Sequence, residues 1–158
     1  MPVFNRYYLL QPVPPSGMFG PGVLFGAGPR VPVEIRVPNA LANYLTQNGK
    51  PIPAPIPGDA LVDTGASVSC VDEKAVQSLG VNPVGVAQVG TPSTAGTPQL
   101  QYPVLFAFPG TTLPPMEIAH ALGSVLQPQK LLALIGRDVL ASFVFAYNGP
   151  GGFVTLSY

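Results

Sequence analysis

At 158 residues the chain is long enough for one domain with a substantial core. Its 7 basic and 7 acidic residues cancel, and only 9% of residues are charged. A nucleic-acid-binding face needs a basic patch, so that class is excluded, and a surface so short of charge invites self-association.

Pro (21) and Gly (18) approach the level of disordered chains, but a 47% hydrophobic content can offset chain entropy. Many short strands joined by Pro/Gly turns fit that balance. The sole cysteine, Cys70, excludes an internal disulfide framework. The first residues lack the basic-then-apolar pattern of a signal peptide, and no apolar run reaches membrane-spanning length. A reducing, cytoplasmic location is expected, with neither membrane nor nucleic acid as a partner.

In chain order, residues 2–10 read as an edge strand and 12–29 as an extended Pro/Gly-rich arm. An arm over 1–30 is thus expected before a domain over 31–158. Apolar and polar residues alternate across 31–37, predicting a half-buried strand with Val31, Val33, Ile35 and Val37 inward. Asn39 is a candidate cap for a short helix over 40–46, which presents Leu41, Tyr44 and Leu45 and stops at Asn48-Gly49. A polyproline-like connector over 51–57 leads to a buried strand ending at Leu61-Val62.

An apolar strand is expected over 68–71, then a helix over 73–79 capped by Asp72 and closed by Gly80. Strands over 84–89 and 100–108 flank a run of small residues, 90–98, whose position at a hairpin tip suits a mobile lid. Further strands are expected over 116–121 and 131–135, and a helix over 137–142. The chain closes with a hairpin, 143–147 and 153–158, about Asn148-Gly149-Pro150-Gly151-Gly152. No helix follows that glycine-rich turn, so it is not a phosphate loop.

Two stretches carry chemistry. In Leu61-Val62-Asp63-Thr64-Gly65-Ala66-Ser67 a carboxylate sits where a buried strand breaks, and Gly65 allows a sharp turn close to a ligand. Downstream, Leu134-Ile135-Gly136-Arg137-Asp138-Val139-Leu140 gives two apolar residues, Gly, Arg, an acid, an apolar residue and Leu. Cys70 lies on an apolar strand and reads as core; His120 has no companion His or Cys cluster; Asp138 reads as a helix-start acid.

Together, and in this order, the two motifs resemble those of retropepsin-like (retroviral-type) aspartic proteases, especially single-domain cellular and bacterial relatives. The resemblance spans 31–158. It implies an all-β, retropepsin-like closed β-barrel (the acid-protease fold) with short helices. One lobe per chain and one Asp-Thr-Gly imply a homodimer with Asp63 and its symmetry mate as the catalytic dyad. The helix and connector between 40 and 57 look like an insertion in that plan.

The resemblance further implies that Thr64 bonds across the dimer and that Gly65 accepts from substrate backbone, with Ala66 and Ser67 also at the substrate. Gly136 would pack behind the loop and Arg137 would anchor it. Many retroviral enzymes carry an acid at the position of Ser67, which leaves the partner of Arg137 open, with Asp72 and Asp138 as candidates. Flap candidates are Gly90, Thr91, Ser93, Thr94, Ala95 and Gly96. The implied activity is hydrolysis of an extended peptide or protein, with no metal or cofactor. The alternative is a catalytically idle dimerisation or peptide-binding module.

Overall fold

The computed structural model describes residues 1–8, 21–91 and 94–158. It is mostly β with short helices. Strands β1 (Val3–Tyr7), β9 (Val144–Asn148) and β10 (Phe153–Ser157) form an antiparallel three-stranded sheet in the order β1-β10-β9. The other seven strands are β2 (Arg30–Arg36), β3 (Ile56–Val62), β4 (Cys70–Asp72), β5 (Gly85–Thr91), β6 (Thr94–Ala107), β7 (Met116–Ser124) and β8 (Ala133–Ile135). They form one sheet in the order β2-β3-β8-β4-β7-β6-β5.

The closed barrel expected from the resemblance is here a rolled sheet beside a separate small one. The roll brings β2 back to β6, but only Glu34, Ile35 and Arg36 pair there. A crossover sets the site: β3 runs parallel to β8, with Val62 opposite Ile135. The end of the first motif strand therefore lies beside the end of the second.

Alternation in β2 is as the sequence predicts, with Val31, Val33, Ile35 and the following Val37 all buried. They join Val71, Val104, Phe106, Ile135 and Leu156 in the main core. Each such apolar side chain contributes roughly 1.5–3 kcal/mol by leaving water. Asp72 caps helix α3 (Glu73–Ser78), its side chain accepting from Ala75 N at 3.0 Å. Tyr102 on β6 is fully buried; its hydroxyl donates to Glu73 Oε1 at 2.9 Å and accepts from Gln77 Nε2 at 2.8 Å, tying α3 to the sheet.

Several local expectations change. The stretch read as an extended arm contains helix α1 (Pro21–Ala27); the part over 12–20 lies outside the described residues, as do Leu9 and Leu10. Leu24 of α1 is fully buried with Tyr8 and Val154. The Tyr8 hydroxyl accepts from Arg30 N at 2.7 Å and donates to Gly28 O at 2.9 Å. Two short polar anchors thus fix a stretch that composition alone marks as loose.

Helix α2 (Asn39–Gln47) is capped at Pro38 without a side-chain bond, and Asn39 instead turns both its backbone N–H and its amide to Glu117. Its expected inner face is shallow: Leu41 packs on the core, while Tyr44 is exposed. The strand expected from 68 begins at Cys70. In the terminal hairpin Val154 and Leu156 pack inside their own chain. Among the described residues no helix is long and apolar enough to cross a membrane.

Leu24→Ala tests the docking of α1. It should destabilise the protein by about 2–5 kcal/mol, as for a buried leucine. Urea unfolding measures it; a loss below about 0.5 kcal/mol, typical of surface sites, would mean that α1 is not docked.

Candidate active site

The Asp63 loop is built from backbone outward. Asp63 N donates to Ile135 O at 2.9 Å, which continues the β3–β8 ladder one residue past the strand. The chain then turns, and Asp63 Oδ1 accepts from Gly65 N at 2.9 Å and Ala66 N at 3.2 Å. This is the local turn that aspartate favours, and here it fixes the orientation of the carboxylate. A Cβ on Gly65 would sit 3.1 Å from that same oxygen. Asp63 and Ala66 are half-buried, and Thr64, Gly65 and Ser67 are exposed.

The second motif clamps this turn. Arg137 Nη1 donates to Thr64 O at 2.9 Å and Gly65 O at 3.2 Å, and Nη2 donates to Ser67 Oγ at 2.8 Å. The partners of Arg137 are therefore two loop carbonyls and Ser67. Neither acid suggested for that role serves. Asp72 caps α3 and also accepts from Leu126 N and Gln127 N. Asp138 starts helix α4 (Arg137–Leu140) and accepts from Ser69 N at 2.9 Å and Ser69 Oγ at 2.7 Å.

Backbone bonds Arg137 N to Ala66 O (3.0 Å) and Asp138 N to Ser67 O (3.3 Å) complete the clamp. Gly136 packs closely against the backbone of Val68 and Ser69. A Cβ there would lie 2.7 Å from Val68 C and 2.9 Å from both Ser69 N and Val68 O. Its φ of −86° is open to any residue, so close backbone approach alone demands glycine.

Ser69 is the supporting position of this loop that sequence reasoning missed. It is fully buried, and its hydroxyl accepts from Gly136 N at 2.9 Å while donating to Asp138. The available signal was a hydroxyl residue inside an apolar run directly after the motif.

Asp63, Gly65, Ala66, Ser67 and Val68 form one side of a groove of about 590 Å³. Its floor is Cys70, Leu122 and Leu134, and its far side is Ala87–Gly90 of β5 with Gln101 of β6. Asp63 is the one charged residue in this lining. The flap candidates Gly90, Thr91, Thr94, Ala95 and Gly96 belong to the β5–β6 hairpin, and Gly90 reaches the groove. Ser93 lies outside the described residues. The hairpin strands run further towards the tip than expected, with Val89 opposite Thr97 and Thr91 opposite Thr94.

Burial pushes the Cys70 thiol up from its ordinary 9.0, the charges of Asp138 and Asp63 add to this, and a hydrogen bond with Ser124 opposes it. A thiol held protonated is a poor nucleophile. His120 is exposed on β7 and is not part of the groove lining. Among the described residues, no group of three or more His, Cys, Asp and Glu side chains converges as a metal site.

No protein-family model matches the chain, and no curated protein matches it in sequence. Among solved structures it matches a retropepsin-like aspartic protease from Rickettsia conorii. Identity is 14%, coverage is 99% of this chain and 92% of that one, and the TM-score is 0.49.

Gly136→Ala should destabilise the fold by about 1–3 kcal/mol through overpacking against backbone that cannot yield. Gly22→Ala, where nothing lies within 4 Å, should be neutral or stabilising. Equal urea midpoints for Gly136→Ala and the parent chain would contradict the close approach.

The Cys70 shift gives a pH prediction. Folding favours the neutral thiol, so its stabilising contribution is complete below the unfolded value near 9.0 and is lost as pH rises through the higher folded value. Stability should fall with pH in that alkaline window, and less steeply in Cys70→Ala; identical slopes would contradict it.

Proposed function

We propose that the chain is an aspartic endopeptidase that acts as a homodimer, with Asp63 of each copy contributing to one dyad. The observation that carries this reading is the clamped turn. Asp63 is fixed by two loop amides, the loop is gripped by Arg137 and backed by Gly136, and the carboxylate borders a groove that otherwise lacks charge. Rigid placement of one acid beside a peptide-sized, otherwise uncharged channel suits hydrolysis better than it suits a passive turn.

Two carboxylates held that close cannot both ionise, so the dyad shares one proton. The ionised member takes a proton from water as the water oxygen bonds to the scissile carbonyl carbon. The neutral member gives its proton to the carbonyl oxygen. Collapse of the tetrahedral intermediate then breaks the C–N bond, and a proton returned through the dyad leaves on the amine. Thr64 lies exposed on the same loop, where a second copy can reach it. The β5–β6 hairpin acts as the flap over an extended peptide, and the rolled sheet serves as the lobe of an acid-protease fold. A cytoplasmic setting suits a chain whose one cysteine is free and buried.

Asp63→Asn should keep fold and assembly but lower peptide hydrolysis by at least about a thousandfold, because the acid and base roles go together. Specific activity of the parent protein should also fall on dilution, in step with dissociation seen by sedimentation. A fully active, concentration-independent monomer overturns the shared dyad. Peptide binding without hydrolysis by the parent chain would favour the idle module.

A further inference from the structure

Apart from the Asp63 loop, the polar lining of the groove lies on the lid hairpin. Strand register places Leu134, Cys70, Leu122 and Gln101 of the lining in one row of side chains that continues beyond the groove at both ends. Leu61 faces Leu134, Leu134 faces Cys70, Cys70 faces Leu122, Leu122 faces Gln101, and Gln101 faces Gly85. Directly paired residues share a face of the sheet. Leu61, Leu134, Cys70 and Leu122 pack as a single apolar cluster. The row then changes character at Gln101.

The next position on the same face repeats the change. Gln99 lies two residues from Gln101 and opposite Ala87, and Ala87 lines the groove. Burial along β5 agrees, since Gly85, Ala87 and Val89 are half-buried while Val86, Gln88 and Gly90 are exposed. The hairpin thus turns two neighbouring carboxamides to the groove's face of the sheet, Gln101 in the lining and Gln99 just beyond it, opposite residues small enough to leave them room. At Gly85 that room is used, because a Cβ there would lie 2.7 Å from Gln101 Oε1. Gln99 Oε1 is buried without a hydrogen-bond partner among the described residues. A buried carbonyl oxygen left unpaired is unfavourable, and a ligand that donates to it removes the penalty.

We propose that Gln99 and Gln101 are specificity-determining residues, which select an extended peptide carrying an uncharged carboxamide side chain, Asn or Gln, against the lid. This rests on reading the groove as a peptide cleft. A carboxamide presents two donors and an acceptor in one plane, so it can donate to Gln99 Oε1 and exchange bonds with Gln101. An apolar side chain leaves Gln99 unpaired. A charged one loses water in a lining that offers neither glutamine as a counter-ion, and so is rejected.

The test separates this selectivity from catalysis. Full-length Asp63→Asn protein is titrated with fluorescent peptides identical but for one position, which carries Gln, its near-isostere Met, or Glu; the position is scanned along the peptide. Anisotropy should show one position where Gln binds about tenfold or more tighter than Met or Glu, as for a site built to hydrogen-bond its ligand. Adding Gln99→Met should abolish that preference while the Met peptide keeps or gains affinity, and Gln101→Met should weaken it. Equal binding of Gln and Met peptides at every position overturns the proposal, and that result does not depend on either Met variant folding. A loss in Gln99→Met that is uniform across all peptides also overturns it, because the bond would then be to peptide backbone. Selective binding with no hydrolysis by the parent chain upholds the proposal and defeats the endopeptidase reading. Hydrolysis without selectivity does the reverse.

Discussion

The contact between Gly136 and the backbone of Val68 and Ser69 is the constraint on which the site depends. Only without a side chain at 136 can the two motif segments approach to 2.7–2.9 Å of a notional Cβ. That approach puts Arg137 within reach of Thr64 O, Gly65 O and Ser67 Oγ, and Asp138 within reach of Ser69. The parallel pairing of β3 and β8 supplies the approach, and the missing Cβ lets it complete.

Much of this was legible in the sequence where the signal is local. Period-2 alternation marked β2, acids at the start of a stretch closed by Gly80 marked Asp72 as a cap, and the Asn-Gly-Pro-Gly-Gly run marked the last hairpin. The two motifs marked the loop and its backing, because glycine at a close approach and arginine beside carbonyls leave characteristic residues. What was not legible depends on partners distant in sequence. Leu24 and Tyr8 meet Val154 only after the sheets assemble, so α1 looked like loose Pro/Gly chain. Asn39 resembles a cap, yet Glu117 on β7 takes its amides. The fixed partners of Arg137 and the role of Ser69 follow from tertiary placement, which no spacing encodes.

The low charge of the chain takes a particular form at the site. One carboxylate borders the groove, the floor is Leu and Cys, and the polar groups on the β5–β6 hairpin side are neutral amides. Among the described residues such a lining presents hydrogen-bonding groups and shape, with Asp63 as its charge. The same surroundings favour the neutral Cys70 thiol: burial raises it first, and the charges of Asp138 and Asp63 add to this.

The clamp also shows why arginine stands at position 137 although no acid faces it. Its acceptors are spread over three residues, Thr64, Gly65 and Ser67, at 2.9, 3.2 and 2.8 Å. A planar fork with fixed donor directions meets such a spread, whereas the single ammonium of lysine must choose among the acceptors. The bonds are charge-assisted at the donor end only, and their value lies in geometry: they hold the outward curve of a turn whose inward curve the Asp63 carboxylate holds through Gly65 N and Ala66 N. Gripped from both sides, the turn needs no bulky residue at 64–67, and Thr64, Gly65 and Ser67 stay exposed at its tip.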